Sequence, residues 1–335
     1  MKLYFLLCIV FANSTSYKYT CRLYGCRPPH GSAACAGQQP MEFISVRKSK
    51  MSIKSDYKDY EEHRNRIAGK KTGKFFINQE LRYVKPFQIY GNLYYVGGSW
   101  VCVHIVDTGE GLLMFDAGNC GAQAVLIQSI WEMGFNPADV KWIILSHGHV
   151  DHFGAVNFFK NMFGTKIYMG EPDVKMFREH PELTMIQESG NCMDTLFHVD
   201  VAVKEGDIRT FGNTTVEFYL VPGHTKGCIV CFFDITDGKE RKRAGYYGGF
   251  GFNTLQSDYL NEIGDSGFQA RKDYLHSLEK VRNQKVDLFM GNHTSNVDLL
   301  NKHEYMLKHP DENQFLDDKA WKNYLDQKKK ELKEL

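Results

Sequence analysis

The sequence predicts a single mixed α/β (α+β) domain, with strand and helix layers sharing a core. Three observations carry this. Short apolar runs separated by glycine-bearing turns begin at Phe87 and read as antiparallel strands. Further on, apolar runs alternate with segments whose apolar residues recur at helical spacing. The chain has 335 residues, 43% of them hydrophobic and 24% charged, which suits a globular core and excludes wholesale disorder. Lys plus Arg number 41 against 40 for Asp plus Glu, a formal charge of +1 that argues against a nucleic-acid surface over the whole molecule.

The elements follow in order. Residues 87–90, 93–96, 101–106 and 112–115 read as four strands, with a hairpin loop at 107–111. His104 alternates within the third and is expected to have a local partner there. Residues 121–133 carry Val125, Leu126, Ile130 and Met133 at helical spacing. Pro137 opens a new element, and 140–145 is an apolar run suited to a buried strand. A second helix is expected over 155–162 and a strand over 166–169. Later strands are expected at 215–221, 228–233 and 286–290, and a helix at 268–281. Cys228 and Cys231 fall within one strand and, three apart, point to opposite faces, so they read as small buried thiols rather than a metal or redox pair. His180, His276, His303 and His309 sit in polar sequence and read as surface groups.

The ends read differently. Residues 1–16 fit a secretory signal peptide: Lys2, an apolar run over 3–12, then Asn13-Ser14-Thr15-Ser16. The run is too short for a stable membrane span, which takes about 20 residues. A buried strand, or a true start at Met41 or Met51, would read the same way. The expectation is a secreted or periplasmic protein, otherwise a cytoplasmic one. Residues 17–84 form an N-terminal extension or linker, basic over 47–74, in which export would permit a disulfide among Cys21, Cys26 and Cys35. Residues 301–335 are expected as a C-terminal helical tail.

The chemistry concentrates after the strand at 140–145, in Ser146-His147-Gly148-His149-Val150-Asp151-His152. In an extended loop His147 and His149 project to one side and can grip one ion, while Asp151 and His152, at the next helix entrance, can grip a neighbouring one. Imidazoles with few oxygens suit zinc, and a structural zinc site would usually include cysteine, which is lacking here. Two zincs about 3.5–4 Å apart would share a water and bring its pKa toward neutrality. Two further loops repeat the pattern of apolar strand, glycine, then histidine. His224, in Pro222-Gly223-His224-Thr225, is a candidate third ligand for the first ion, and His293, in Gly291-Asn292-His293, for the second.

These motifs, with Phe115-Asp116-Ala117-Gly118 upstream, resemble the metallo-β-lactamase superfamily of zinc hydrolases over roughly residues 85–300. The resemblance implies a four-layer αβ/βα sandwich with the metal site at the edge between its sheets. It implies two zinc ions per chain, one on His147, His149 and His224, the other on Asp151, His152 and His293. Asp116 matches an aspartate that props the metal loop. Glyoxalase-like and phosphodiesterase-like members bridge both metals with an aspartate. The matching stretch here, 244–255, contains no acid, which resembles instead the lactamase subclass with a His-His-His and an Asp-His-His site.

The activity this implies is hydrolysis of an amide or ester bond, β-lactam-like, by a metal-bound hydroxide, with Asp151 as the catalytic residue and a small molecule as substrate. A lactonase or other esterase is the alternative, followed by a non-hydrolytic metal-binding or di-iron redox protein. Many lactamases of that subclass carry serines where this chain has Gly248, Gly249 and Gly251, a wall expected to leave room for a bulkier substrate. Lys226, Trp100 and Asn253 are candidate substrate contacts. Lys226 reads more readily as an exposed turn residue, and Trp100 equally as a partly buried strand-end residue. Oligomeric state is not legible.

Overall fold

Twelve strands after residue 80 form two sheets laid down almost in chain order. The structure, a computed structural model, describes residues 9–13, 16–20, 79–189 and 195–335. The possible disulfide cysteines 21, 26 and 35, the basic stretch 47–74 and Cys192 lie outside the described residues. Strands β1 (Ile9–Asn13) and β2 (Ser16–Thr20) pair antiparallel in a separate N-terminal unit, residues 1–63. All further elements belong to the second unit.

The first sheet holds β3 (Phe87–Tyr90), β4 (Leu93–Tyr95), β5 (His104–Asp107), β6 (Leu112–Phe115), β7 (Val140–Ile144), β8 (Lys166–Gly170) and β9 (Val201–Val203) as spatial neighbours in that order. Pairing is antiparallel up to β6 and parallel beyond it. The change falls where helices α1 (Gln123–Glu132) and α2 (Val156–Phe163) make the crossovers that parallel strands require. α3 (Glu171–Glu179) follows β8. The second sheet runs β10 (Ile208–Phe211), β11 (Thr214–Leu220), β12 (Ile229–Thr236), β13 (Arg241–Tyr247) and β14 (Leu288–Gly291). Its one parallel pair, β13 with β14, is bridged by α4 (Ser257–Glu262) and α5 (Gln269–Val281).

The two-residue period of β6 explains the layering. Leu113 and Phe115 face the second sheet, where Phe115 stacks on Phe233 with centroids 4.9 Å apart. Leu112 and Met114 face the other way, into a cluster with Leu126 and Ile130 of α1 and Val156 and Phe159 of α2. Both faces are apolar because both are covered. The result is the mixed α/β sandwich expected.

Several boundaries moved. The strand expected at 101–106 begins only at His104, because residues before it leave the sheet to bond the loop after β14: Val101 bridges His293, and the Cys102 N–H donates to Asn292 O at 2.9 Å. β9, β10, β13, α3 and α4 were not anticipated; they are short or polar, and their apolar residues are too few to show a period. The helical tail expected over 301–335 contains most of α6 (Leu299–Lys308). The C-terminal helix α7 (Ala320–Leu332) is charged on its outer face, but Trp321 and Leu325 are 1% exposed, and Trp321 packs on Phe232, Tyr247 and Phe289. His104 has no hydrogen-bond partner at Nδ1. Its ring is buried beside Tyr95 and Tyr246, and burial pushes its pKa down to about 3. His303 is half-buried and stacks on Phe87. Cys102, Cys120, Cys228 and Cys231 are buried free thiols. Among the described residues no helix is long and apolar enough to cross a membrane.

Candidate metal centre

Three loops converge at the carboxyl ends of β7, β11 and β14. The first leaves β7, carries His147 in a bend and His149 in extended backbone, and closes in a 3-10 turn at Val150–His152 before α2. His224 lies between β11 and β12, and His293 directly after β14. Open α/β sheets place ligands at such strand ends, where connections are free of the ladder.

The first cluster is made of nitrogen atoms alone. His147 Nε2 lies 3.0 Å from His149 Nδ1, which lies 3.0 Å from His224 Nε2. His224 Nδ1 donates to the Gly251 carbonyl at 2.8 Å, so its proton is on that side and Nε2 offers a bare lone pair. One proton can satisfy one of the two short N···N contacts, and a second lone pair is then left facing another. Adding protons does not help. Burial, together with repulsion from neighbouring imidazoles, holds His147 and His224 well below the usual histidine range, and burial brings His149 to about 4. A cation at the point where these three nitrogens converge resolves the conflict. The donor set therefore fits a divalent metal.

The second cluster contains acid. His152 Nε2 and His293 Nε2 lie 3.4 and 3.6 Å from Asp151 Oδ2, and the His152 and His293 rings are 5.0 Å apart at right angles. One ligand atom each from His147, Asp151 and His152 also falls within 4.8 Å of the others, so His147 stands between the two clusters. Burial works against charge on both Asp151 and His152, but the pair overcomes it. His152, His293 and His149 hold the Asp151 carboxyl below the usual range, while Asp151 and Asp116 raise His152 to about 10. Burial and the neighbouring His152 bring His293 down to about 4.

Asp116 ties this cluster to both sheets. It follows β6 in the left-handed region, φ 58°, which aspartate tolerates better than most residues. Its Oδ1 accepts the Ser146 N–H at 2.6 Å, and its Oδ2 accepts the Tyr246 hydroxyl at 2.7 Å and the His152 Nδ1–H at 2.6 Å. The last contact fixes the tautomer that turns His152 Nε2 toward Asp151.

A cavity of about 530 Å³ opens over the two clusters. Trp100 and Asn253 line it. Lys226 is exposed and is not part of the wall. The wall's cation is Lys328 of α7, which lies over Phe252 and Tyr324 (4.9 and 5.3 Å to the ring centroids) and pairs with Glu331 at 2.8 Å. Nothing in sequence links a lysine in a charged tail to a motif so far upstream. The glycines differ from expectation too. A Cβ on Gly248 would lie 2.3 Å from Ser146 Cβ, one on Gly249 2.3 Å from Cys228 Sγ, and one on Gly251 3.0 Å from His224 Cε1. They permit close packing of backbone on the site and do not leave open space. A further acid escaped notice: Asp173 of α3, fully buried, accepts the Gly148 and Gly227 N–H groups and the Thr225 hydroxyl.

Comparison with known proteins agrees with this geometry. Residues 101–237 match the family model of the metallo-beta-lactamase superfamily. A stretch of 129 residues is 33% identical to a hydroxyacylglutathione hydrolase of Haemophilus influenzae, covering 38% of this chain and 58% of that protein, little more than half its length. Among solved structures, the native FEZ-1 metallo-beta-lactamase of Legionella gormanii is 26% identical with a TM-score of 0.67, over 76% of this chain and 95% of that one. The subclass B3 metallo-beta-lactamase BJP-1 of Bradyrhizobium japonicum is 25% identical with a TM-score of 0.64, over 76% and 94%.

Proposed function

We propose, from the match of residues 101–237 to the metallo-beta-lactamase superfamily model and the likeness to solved metallo-beta-lactamases, that the protein is a zinc-dependent hydrolase of a small-molecule amide or ester, with a β-lactam-like bond as the leading substrate class. The observation that carries this is the cluster of three imidazole nitrogens about a common point, beside an Asp-His pair that shares His147. His147, His149 and His224 would hold one zinc, and Asp151, His152 and His293 a second. When bound, zinc supplies Lewis acidity toward a carbonyl oxygen and lowers the pKa of a water. The chain's own groups do the rest. The Gly251 carbonyl and Asp116 set the tautomers of His224 and His152. Asp151 stays ionised and orients the attacking water toward the acyl carbon. As the water's oxygen bonds to the acyl carbon and the bond to the leaving nitrogen or oxygen breaks, a proton given up by that water passes to the leaving atom. Lys328 supplies a positive charge for a substrate anion, and Trp100, Phe250 and Phe252 an aromatic surface for its body.

Ester or lactone cleavage is a second reading, supported by the likeness to a hydroxyacylglutathione hydrolase. Parallel rates on nitrocefin and on acyl-homoserine lactones, with zinc-loaded and chelated protein, separate the two. Zinc-dependent turnover of either is expected to vanish in Asp151→Ala and His147→Ala proteins that keep a native circular dichroism spectrum. Full activity in Asp151→Ala refutes the assignment.

A further inference from the structure

The two loops that carry the three-histidine cluster meet at their ends, where the Ile229 N–H donates to Ser146 O at 3.0 Å; beside the ligands themselves a third element joins them. Asp173, in the first turn of α3, is 0% exposed. Its Oδ2 accepts the Gly148 N–H at 2.8 Å and the Thr225 hydroxyl at 2.7 Å, and its Oδ1 accepts the Gly227 N–H at 2.8 Å. Gly148 lies between the ligands His147 and His149. Thr225 directly follows the ligand His224, and Gly227 closes the same turn. One carboxylate thus spends three acceptor sites on the two ligand loops.

The backbone is shaped to admit it. A Cβ on Gly227 would lie 2.5 Å from Asp173 N and 2.6 Å from its Cγ. On Gly148 a Cβ would lie 3.4 Å from Asp173 Cβ and 2.7 Å from Met176 Cε, and on Gly170, just before α3, 2.1 Å from Gly227 O. Gly148 and Gly227 bring main chain against this one side chain, and Gly170 packs on the Gly227 backbone, so that a side chain at Gly170 or Gly227 would press on the His224 loop or on α3.

From this we propose that Asp173 is a positioning residue for the metal centre, which clamps the His147/His149 loop to the His224 loop at the separation that the three-nitrogen site requires. The clamp rests on the metal reading of those histidines. Outer partners that orient ligands change metal affinity by about 10–100-fold when removed, and here one group orients ligands on two loops at once.

The test uses the full chain. Zinc affinity is measured by competition with a chromophoric chelator, the geometry of the three-histidine site by the visible spectrum of the cobalt(II)-loaded protein, and the metal-free fold by thermal unfolding. Asp173→Ala is expected to weaken zinc binding about 10–100-fold and to alter the cobalt bands. Thr225→Val, which removes one of the three donors and leaves the carboxylate, is expected to move both in the same direction by less. Should Asp173→Ala not fold, Thr225→Val and Asp173→Asn, whose amide turns a donor toward a backbone N–H, carry the test. Lower stability of the metal-free variants with unchanged zinc affinity and cobalt spectrum overturns the clamp and leaves a merely structural acid. If the wild-type chain takes up no zinc, the metal reading itself falls and the clamp with it; normal uptake by wild type and variants alike defeats the clamp alone.

Discussion

At the scale of single residues, the site is governed by where protons cannot go. His224 gives its one proton to the Gly251 carbonyl, so its opposite nitrogen faces inward bare, while His152 donates its Nδ1 proton to Asp116 and turns Nε2 toward Asp151. Asp116→Asn keeps the shape but loses the charge that holds the His152 proton in place. It is expected to lower affinity at the Asp151-bearing site about 10–100-fold, seen as loss of the weaker of two zinc equivalents on dialysis. Under the proposed function Lys328, on the cavity wall, would meet an anionic group of the substrate. Lys328→Ala is expected to raise KM about tenfold for a carboxylate-bearing substrate, roughly the worth of one charge-assisted contact, while leaving kcat and the KM of a neutral analogue unchanged. Equal effects on both substrates would remove Lys328 from recognition. His104 bears on stability alone. The folded chain holds it neutral down to about 3, against 6.5 for an ordinary histidine. Between those values the unfolded chain binds the extra proton, so stability falls as pH falls through that window, by up to about 1.4 kcal/mol per pH unit. A His104→Phe variant is expected to show a shallower acid limb in denaturant titrations; an unchanged limb means that other groups set it.

At the scale of elements, what was legible was what repeats. β3, β6, β7, β11, β12 and the helices α1, α2 and α5 announce themselves because each buries a face or a stripe with a regular period. β9 and β10 do not, since a three-residue strand has no period and Ile208 of β10 is exposed. The HxHxDH loop was visible because four metal-capable side chains crowd into six positions. Asp173 was not, because a lone acid in the polar helix α3 looks like any solvated one, and only the fold shows it buried under two ligand loops. The packing of the C-terminal helical tail was hidden for the same reason. Its lysines dominate the composition, whereas Trp321 and Leu325 decide the packing. Trp321→Ala is expected to cost about 3–5 kcal/mol in urea unfolding. By loosening α7 it should also weaken any effect that Lys328 has on KM. A cost under about 1 kcal/mol would show that α7 docks without its tryptophan.

At the scale of the molecule, two sheets of different size are packed so that the carboxyl ends of β7 and β14 and the β11–β12 turn meet at one edge. Neither sheet alone holds a complete ligand set: the first supplies the 147–152 loop, the second His224 and His293. Binding a metal at that seam therefore joins the two halves, and chelation is expected to lower the thermal midpoint as well as to stop turnover. The most direct measurement is the metal content of the purified chain after zinc loading and exhaustive dialysis, taken for the wild type and for His147→Ala and His224→Ala. About two zinc equivalents per chain are expected in the wild type, with at least one lost in each variant. Zinc content near zero in the wild type, or undiminished in both variants, would contradict the metal centre and the hydrolase built on it.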